Sequence, residues 1–161
     1  FETVGGKVIG ITPNNWVQEL IINRGAKDGI KEKMPVITYN GALVGKISKV
    51  TANTARITLI TDVNFTVGGR IQREESRAIG VIRGRAKEKE YLLMDQVPWD
   101  AELKEGDLVV TSGLTNNFPM GIPIGKVVEV KQGNYGLIQQ AEVEPFMNLT
   151  PIEEVLVITD F

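Results

Sequence analysis

The sequence predicts an all-β fold, either a sandwich or a small barrel, and three observations carry this prediction. Short runs of aliphatic and β-branched residues recur along the 161-residue chain. Turn signals such as Asn40-Gly41 and Asp28-Gly29 separate these runs at a spacing of about 8–12 residues, which is typical of such folds. The 17 glycines suit the bulges and tight corners of small barrels.

Twelve runs are predicted to be strands because each is apolar on at least one face. In the first half they cover residues 7–11, 20–22, 35–39, 42–47, 55–60 and 66–71. In the second half they cover residues 78–82, 91–94, 107–111, 124–130, 137–138 and 155–158. Evidence for helix is limited to a turn or two over residues 98–104 and a shorter turn over residues 25–29.

An internal repeat organises these strands. Residues 30–38 align with residues 103–111, and residues 41–50 align with residues 121–130. The aligned segments share eight identities, at Lys31/Lys104, Glu32/Glu105, Val36/Val109, Thr38/Thr111, Gly41/Gly121, Gly45/Gly125, Lys46/Lys126 and Val50/Val130. Self-similarity of this kind indicates two copies of one structural unit, here a β unit of about 70 residues.

The same alignment continues beyond these segments, where it pairs Ile57 with Leu137 and Val63 with Val143. The second copy carries seven extra residues, and they lie between Ser112 and Met120. The first copy has only a tight Asn-Gly turn at this place. The second unit is therefore expected to carry an additional loop.

A charged stretch without apolar periodicity, residues 72–77, marks the predicted boundary between the two units. The last predicted strand lies beyond the end of the second repeat. Because an edge strand needs a partner, we expect this strand to return to the first unit. The predicted domains are residues 1–72 with 150–161, and residues 73–149.

Composition excludes several classes of site. The chain has no histidine and no cysteine, which removes Ser-His-Asp and Cys-His nucleophile pairs and the usual zinc, haem and iron–sulfur ligand sets. We therefore expect no catalytic residues, no metal and no cofactor. The net charge of −2 argues against a nucleic-acid binder, which would normally be basic. No segment approaches the roughly 20 apolar residues that span a bilayer.

Two patterns superficially suggest chemistry. Gly41-x-x-x-Gly45-Lys46 and its repeat resemble a phosphate-binding loop, but the true motif has four residues between the glycines and a Ser or Thr after the lysine. Ser112 directly follows an apolar strand, so a serine hydrolase using a Ser112–lysine dyad, for example with Lys126, is the alternative function. A turn serine that bonds its own backbone is the favoured interpretation.

The extra loop supplies the candidate protein-interaction residues. It clusters one aromatic residue, one methionine and two prolines, and Phe and Met are enriched at interface cores. If exposed, the loop predicts a binding surface formed by Phe118, Pro119, Met120 and Ile122. If buried, it closes the end of a barrel. The basic stretch between Arg70 and Lys89 is interrupted by glutamates, and it is expected to form solvated strand edges, with binding of an anionic wall polymer as an alternative.

Several of these segments, in this order, resemble one family. They are residues 22–30, 34–37, 41–47 and 59–62, then the most specific pair, Gly106-Asp107-Leu108-Val109-Val110-Thr111-Ser112-Gly113-Leu114 and Phe118-Pro119-x-Gly121-Ile122-Pro123-Ile124-Gly125-Lys126-Val127, and finally residues 143–145 and 155–158. The chain from about Thr12 to Ile158 is similar to the extracytoplasmic β domains of rod shape-determining protein MreC.

The resemblance implies two small six-stranded β-barrels with a chymotrypsin-like topology and no catalytic triad. It implies a non-enzymatic scaffold of the bacterial cell-elongation machinery that maintains rod shape. The implied partners are penicillin-binding proteins, RodA, MreD and MreB, together with self-association as a dimer or a larger assembly, and no nucleic acid. The implied location is the extracytoplasmic side of the cell membrane, with a single-pass N-terminal anchor that this chain lacks.

Overall fold

The computed structural model describes residues 1–12, 18–76, 78–85, 91–114, 117–148 and 152–161. Within these ranges the chain forms two 3-10 helices, Ala26–Asp28 and Asn134–Gly136, and twelve strands. The strands are β1 (Glu2–Ile11), β2 (Glu19–Ile22), β3 (Pro35–Ile37), β4 (Leu43–Val50), β5 (Ala55–Leu59), β6 (Thr66–Ile71), β7 (Ile79–Arg83), β8 (Leu92–Pro98), β9 (Leu108–Thr111), β10 (Pro123–Gln132), β11 (Ile138–Pro145) and β12 (Glu154–Asp160). None of the helices in the described ranges has the length and hydropathy that crossing a membrane requires.

The strands close into two six-stranded antiparallel barrels. The first barrel has the strand order β1-β12-β3-β4-β5-β2, and the second has the order β10-β11-β8-β7-β6-β9. Closure removes the exposed sheet edges that an open arrangement would leave. The predicted all-β class and the two six-stranded barrels are therefore confirmed.

The two barrels are built differently from the chain. The second barrel is contiguous and uses β6 to β11, whereas the first uses β1 to β5 and then β12, which pairs with β1 and β3. Because β6 pairs with β7 and β9, the second barrel begins at Thr66 and not at residue 73. The charged stretch predicted as the boundary is instead the turn between β6 and β7, where Arg73 pairs with Asp107 at 2.8 Å.

The repeat is visible in the backbone pairing. Val36 of β3 lies opposite Gly45 of β4, and Val109 of β9 lies opposite Gly125 of β10. A β-carbon added at Gly45 would collide with the carbonyl oxygen of Thr58, and one added at Gly125 would collide with that of Glu144. Both glycines are therefore required by a close approach of the neighbouring strand.

The predicted register beyond β4 and β10 is wrong. Ile57 lies opposite Ile47, and Val143 lies opposite Val127, so the structural equivalent of Ile57 is Val143 and not Leu137. The hairpin between β10 and β11 is six residues longer than the one between β4 and β5. An alignment without gaps cannot accommodate these six additional residues, so it pairs the wrong positions after them. The first hairpin turns where the second extends as a two-stranded arm.

One apolar core runs through both barrels. Phe65, in the connection between β5 and β6, is fully buried, and its ring meets that of Phe118 edge-on, with centroids 6.0 Å apart and an interplanar angle of 77°. Edge-to-face geometry is a preferred arrangement of aromatic pairs. The interbarrel connection is thus packed into the core through the extra loop of the second barrel.

Candidate interaction surface

The structure separates the four residues that the sequence proposed as a binding surface. Phe118 is 4% exposed and Ile122 and Pro119 are also buried, whereas Met120 is 65% exposed. The Thr111 hydroxyl explains this fold of the loop, because it donates to the Pro119 carbonyl at 2.6 Å and accepts from the Ile122 amide at 2.8 Å. Of the four residues, only Met120 offers a large apolar side chain to a partner.

Ser112 lies in a turn and not in a nucleophilic site. Its hydroxyl accepts a hydrogen bond from the Leu114 amide at 3.3 Å, and its own amide donates to the Gly68 carbonyl at 3.0 Å. Lys126 is exposed on β10, opposite Leu108 and Glu144. Among the described contacts, no lysine amine reaches the Ser112 hydroxyl. The arrangement matches a turn serine that satisfies local backbone groups.

A groove runs along the outer face of β6 and β7. Opposite residues on this face are Thr66 and Arg83, Gly68 and Val81, and Arg70 and Ile79. The cavity has a volume of about 440 Å³, and its remaining walls include Ser112, Leu114 and Gln96. At its centre the Ser112 hydroxyl lies over Gly68, where an added β-carbon would come within 2.5 Å of it. We call this feature the β6–β7 groove.

Exposed apolar side chains border the β6–β7 groove. Ile79 is 41% exposed and Leu114 is 70% exposed. Met120 belongs to the same surface, because a β-carbon added at Gly113, next to Leu114, would lie 2.7 Å from the Met120 β-carbon. We call Ile79, Leu114 and Met120 the apolar patch. Neighbouring exposed apolar side chains of this kind mark interaction sites more often than isolated ones do.

Sequence reasoning missed Ile79 and Leu114. The signal for Ile79 was present, since β7 is apolar at outward positions Ile79 and Val81 as well as at the fully buried Ile82. A half-buried strand normally alternates apolar with polar residues. Apolar residues on both faces of β7 therefore singled out its outer face as a candidate surface.

The charged side chains around the groove differ in how well they are paired. Arg83 lies 3.9 Å from Asp95, a loose ion pair. The Nε atom of Arg70 is buried and has no hydrogen-bond partner within the described part of the chain. Burial by itself would raise the pKa of Asp95, but hydrogen bonds from Gln140 and Gln96 and the Arg83 charge outweigh it and lower that pKa.

The basic stretch between Arg70 and Lys89 does not form one surface in its described part. Arg73 pairs with Asp107, and Arg85 pairs with Glu142, on different sides of the barrel. Residue 77 and residues 86–90 lie outside the described residues. These ion pairs neutralise the charges of both arginines. The described part of the stretch therefore presents no continuous basic patch to an anionic polymer.

Glu142 is a buried carboxylate with two cationic partners. Arg85 and Lys131 both bond to it, Lys131 at 3.0 Å. Burial would raise the pKa of Glu142, but the hydrogen bonds and charges of these two cations together outweigh burial and lower the pKa. The triad joins β11, β10 and the end of β7, and it therefore has a structural role.

A second cavity, of about 710 Å³, lies between the barrels. Ala42 and Thr38 line it from the first barrel, and Pro123 and Phe146 line it from the second. Beside it, burial raises the pKa of Tyr39, and the charge and hydrogen bond of Glu154 raise it further. Glu153 and Glu154 add two carboxylates to its lining.

Comparison with known proteins extends these observations. The family model described as rod shape-determining protein MreC, barrel core, matches residues 8–159. The cell shape-determining protein MreC of Listeria monocytogenes is 35% identical over 160 residues, which is 98% of this chain and 54% of that protein. The protein of the same name from Bacillus subtilis is 34% identical over 98% of this chain and 57% of its own length. The chain thus spans about half the length of these curated relatives.

Solved structures agree with the fold. The Listeria MreC structure matches with a TM-score of 0.89 at 34% identity, over 97% of this chain and 74% of that one. The major periplasmic domain of the cell shape-determining filament MreC matches with a TM-score of 0.85 at 29% identity, over 97% and 94%. The MreC fold also occurs in a complex between penicillin-binding protein PBP2 and MreC from Helicobacter pylori, with a TM-score of 0.77 at 17% identity, over 99% of both chains.

Every curated relative considered carries the name of a cell shape-determining protein, and none carries the name of an enzyme. The family match covers nearly the whole chain, and the two barrels described above account for it. The chain therefore belongs to the MreC family of cell shape-determining proteins.

Proposed function

We propose that this chain is the partner-binding core of a non-enzymatic scaffold that maintains rod shape during cell elongation. In this proposal the second barrel docks a penicillin-binding protein on the extracytoplasmic side of the membrane, and the apolar patch is the docking surface. The longer protein would be anchored by a single N-terminal span, and RodA, MreD and MreB would join the same assembly.

The exposure of the apolar patch is the observation that carries this proposal. Ile79, Leu114 and Met120 lie on one side of a barrel whose other apolar strand residues are largely buried. Full burial of a side chain of this size gives roughly 1.5–3 kcal/mol, and a partner that covers the patch recovers the part that its exposed surface forfeits. Anchors of this type dominate the binding energy of protein interfaces.

Two solved structures support the choice of partner and compartment. The Helicobacter pylori protein of this fold was solved as a complex with PBP2, which supports a penicillin-binding protein as the partner. The matched domain of the filament-forming MreC is periplasmic, which supports an extracytoplasmic location and self-association.

Charge substitution in the apolar patch tests the proposal. We expect Leu114→Asp and Met120→Asp each to weaken binding to the periplasmic portion of PBP2 from the same organism by at least about tenfold, since truncated hot-spot residues cost 2 kcal/mol or more. Biolayer interferometry measures this. Leu137→Asp is the matched control, because Leu137 is 67% exposed but lies in the turn between β10 and β11.

Thermal unfolding of each variant separates docking from folding. The patch variants should unfold within about 2 °C of the parent, because exposed substitutions change stability by less than 0.5 kcal/mol. Equal binding by the Leu114→Asp, Met120→Asp and Leu137→Asp variants would refute the docking surface. Sedimentation velocity of the same proteins shows whether the patch also serves self-association.

A further inference from the structure

We propose that the β6–β7 groove recognises an extended segment of another protein in which two acidic residues lie four positions apart with an apolar residue midway. This inference rests on the proposed docking function and adds the chemistry of the docked segment. The groove has a mainly apolar cavity at its centre, and Arg70 and Arg83 lie beyond the residues that line it, on the same outward face, so its ligand should have the complementary pattern.

The centre of the groove accepts an apolar side chain. Gly68 and Val81 face each other there, the Ser112 hydroxyl lies over Gly68, and the cavity is open beside Val81. Leu114 forms an adjacent wall of the cavity. A branched aliphatic side chain inserted between Val81 and Leu114 would bury apolar surface on both sides, which is the favourable term in such contacts.

The ends of the groove are cationic. Arg70 follows Gly68 by two residues on β6, and Arg83 follows Val81 by two residues on β7. Arg83 is only loosely paired with Asp95, and Arg70 has an unpartnered buried Nε atom. Arginine presents five donors in a planar fork that suits carboxylates. Each end can therefore accept one acidic side chain.

The distance between the ends sets the spacing in the ligand. Arg70 lies opposite Ile79, and Arg83 lies opposite Thr66, so the two arginines stand four residues apart along antiparallel neighbours. At about 3.3 Å per residue and 4.8 Å between strands, their α-carbons are separated by roughly 14 Å. In an extended peptide, residues i and i+4 are about 13 Å apart and point to the same face as residue i+2.

A second copy of this chain does not supply the segment from its described surface. The sequence contains one acidic pair four residues apart with an apolar residue midway, Asp28 and Glu32 around Ile30. Ile30 is 2% exposed and belongs to the core of the first barrel. Because this apolar residue is not accessible in the folded chain, the geometry favours a different protein as the partner.

Fluorescence anisotropy with short labelled peptides tests the recognition. The probe carries Asp-Thr-Leu-Thr-Asp, and two comparison peptides carry Asn-Thr-Leu-Thr-Asn and the permuted Thr-Asp-Leu-Asp-Thr. We expect the probe to bind at least fivefold more tightly than either, because only the probe places both acids and the leucine on one face. Binding should weaken as salt rises from 50 to 500 mM, since exposed charge pairs are screened.

Arginine substitutions identify the site. Arg70→Gln and Arg83→Gln should each weaken probe binding by about two- to fivefold, the range expected for a partly exposed ion pair. Arg56→Gln is the matched control, since Arg56 is half-exposed on the first barrel and pairs with Glu19 at 3.6 Å. Unchanged thermal midpoints show that the variants remain folded.

The possible outcomes separate this inference from the proposed function. Equal affinity for the three peptides, no binding of the probe at 1 mM, or no effect of the Arg70 and Arg83 variants would overturn the inference. If those variants also bind PBP2 normally while Leu114→Asp does not, the docking function stands without the acidic segment. If the probe binds as expected but PBP2 does not bind the parent chain, the inference stands and the identity of the partner is wrong.

Discussion

Replacing Phe118 with alanine should destabilise the chain by about 3–5 kcal/mol, the usual cost of removing a buried phenylalanine ring. The ring is 4% exposed and meets Phe65 edge-on with centroids 6.0 Å apart. About 0.5–1.5 kcal/mol of the loss belongs to this aromatic pair beyond the buried area. For a chain of 161 residues, each kcal/mol shifts the midpoint by about 2–4 °C, so the total is roughly 6–20 °C.

Urea unfolding followed by far-UV circular dichroism measures this free energy. Met120→Ala is the matched variant from the same loop, and we expect it to change stability by less than about 0.5 kcal/mol because its side chain is 65% exposed. A cycle with Phe65→Ala and the double variant isolates the energy of the ring pair.

A loss below about 1 kcal/mol for Phe118→Ala, or equal losses for the Phe118 and Met120 variants, would refute this reasoning. Such a result would mean that the ring does not close the core, and that the loop is free to bind a partner through Phe118. The two variants therefore decide between a structural and a binding role for this position.

Two further predictions concern the strands. Gly45→Ala should lower the free energy of unfolding in urea by more than about 2 kcal/mol, because its β-carbon would collide with the Thr58 carbonyl. Gly10→Ala is the control and should lower it little, because a β-carbon there would make ordinary contacts at 3.5 Å. Equal losses for the two variants would contradict the close approach at Gly45. The pKa of Glu142 is lowered in the folded chain, so the ionised carboxylate stabilises the fold at pH values above its unfolded pKa, and this stabilisation is lost as the pH falls through the folded pKa. Unfolding midpoints from pH 3 to 7 should therefore decline at acidic pH, and less steeply for Glu142→Gln. Parallel pH profiles of the two proteins would contradict this source of stability.

The fold was largely accessible from the sequence because its repeat is encoded in local chemistry. Gly45 and Gly125 recur at a position where a neighbouring strand leaves no room for a side chain. Thr38 and Thr111 recur because each hydroxyl accepts a backbone amide at the turn that follows. Constraints of this kind act between neighbouring strands of one hairpin, so they leave the same pattern in both copies of the repeat.

The boundary and the binding surface were less accessible, because they depend on contacts between distant residues. The ring of Phe118 packs against Phe65, which lies in the interbarrel connection. No local sequence pattern predicts this contact between the two rings. Residues 72–76 lie at the tip of the hairpin between β6 and β7, and a hairpin tip can have the same charged composition as a domain boundary. The exposure of Ile79 can be predicted only when the outward-facing residues of β7 are considered separately from its inward-facing ones.

The position of β12 reverses the expected order of folding. Five strands of the first barrel are complete at Leu59, but the sixth begins only at Glu154, after the whole of the second barrel. Until β12 is synthesised, β1 and β3 lack the strand that lies between them, and unpaired strand edges invite wrong association. The second barrel, which is contiguous, can close first. The barrel that is begun first during translation is therefore the one completed last.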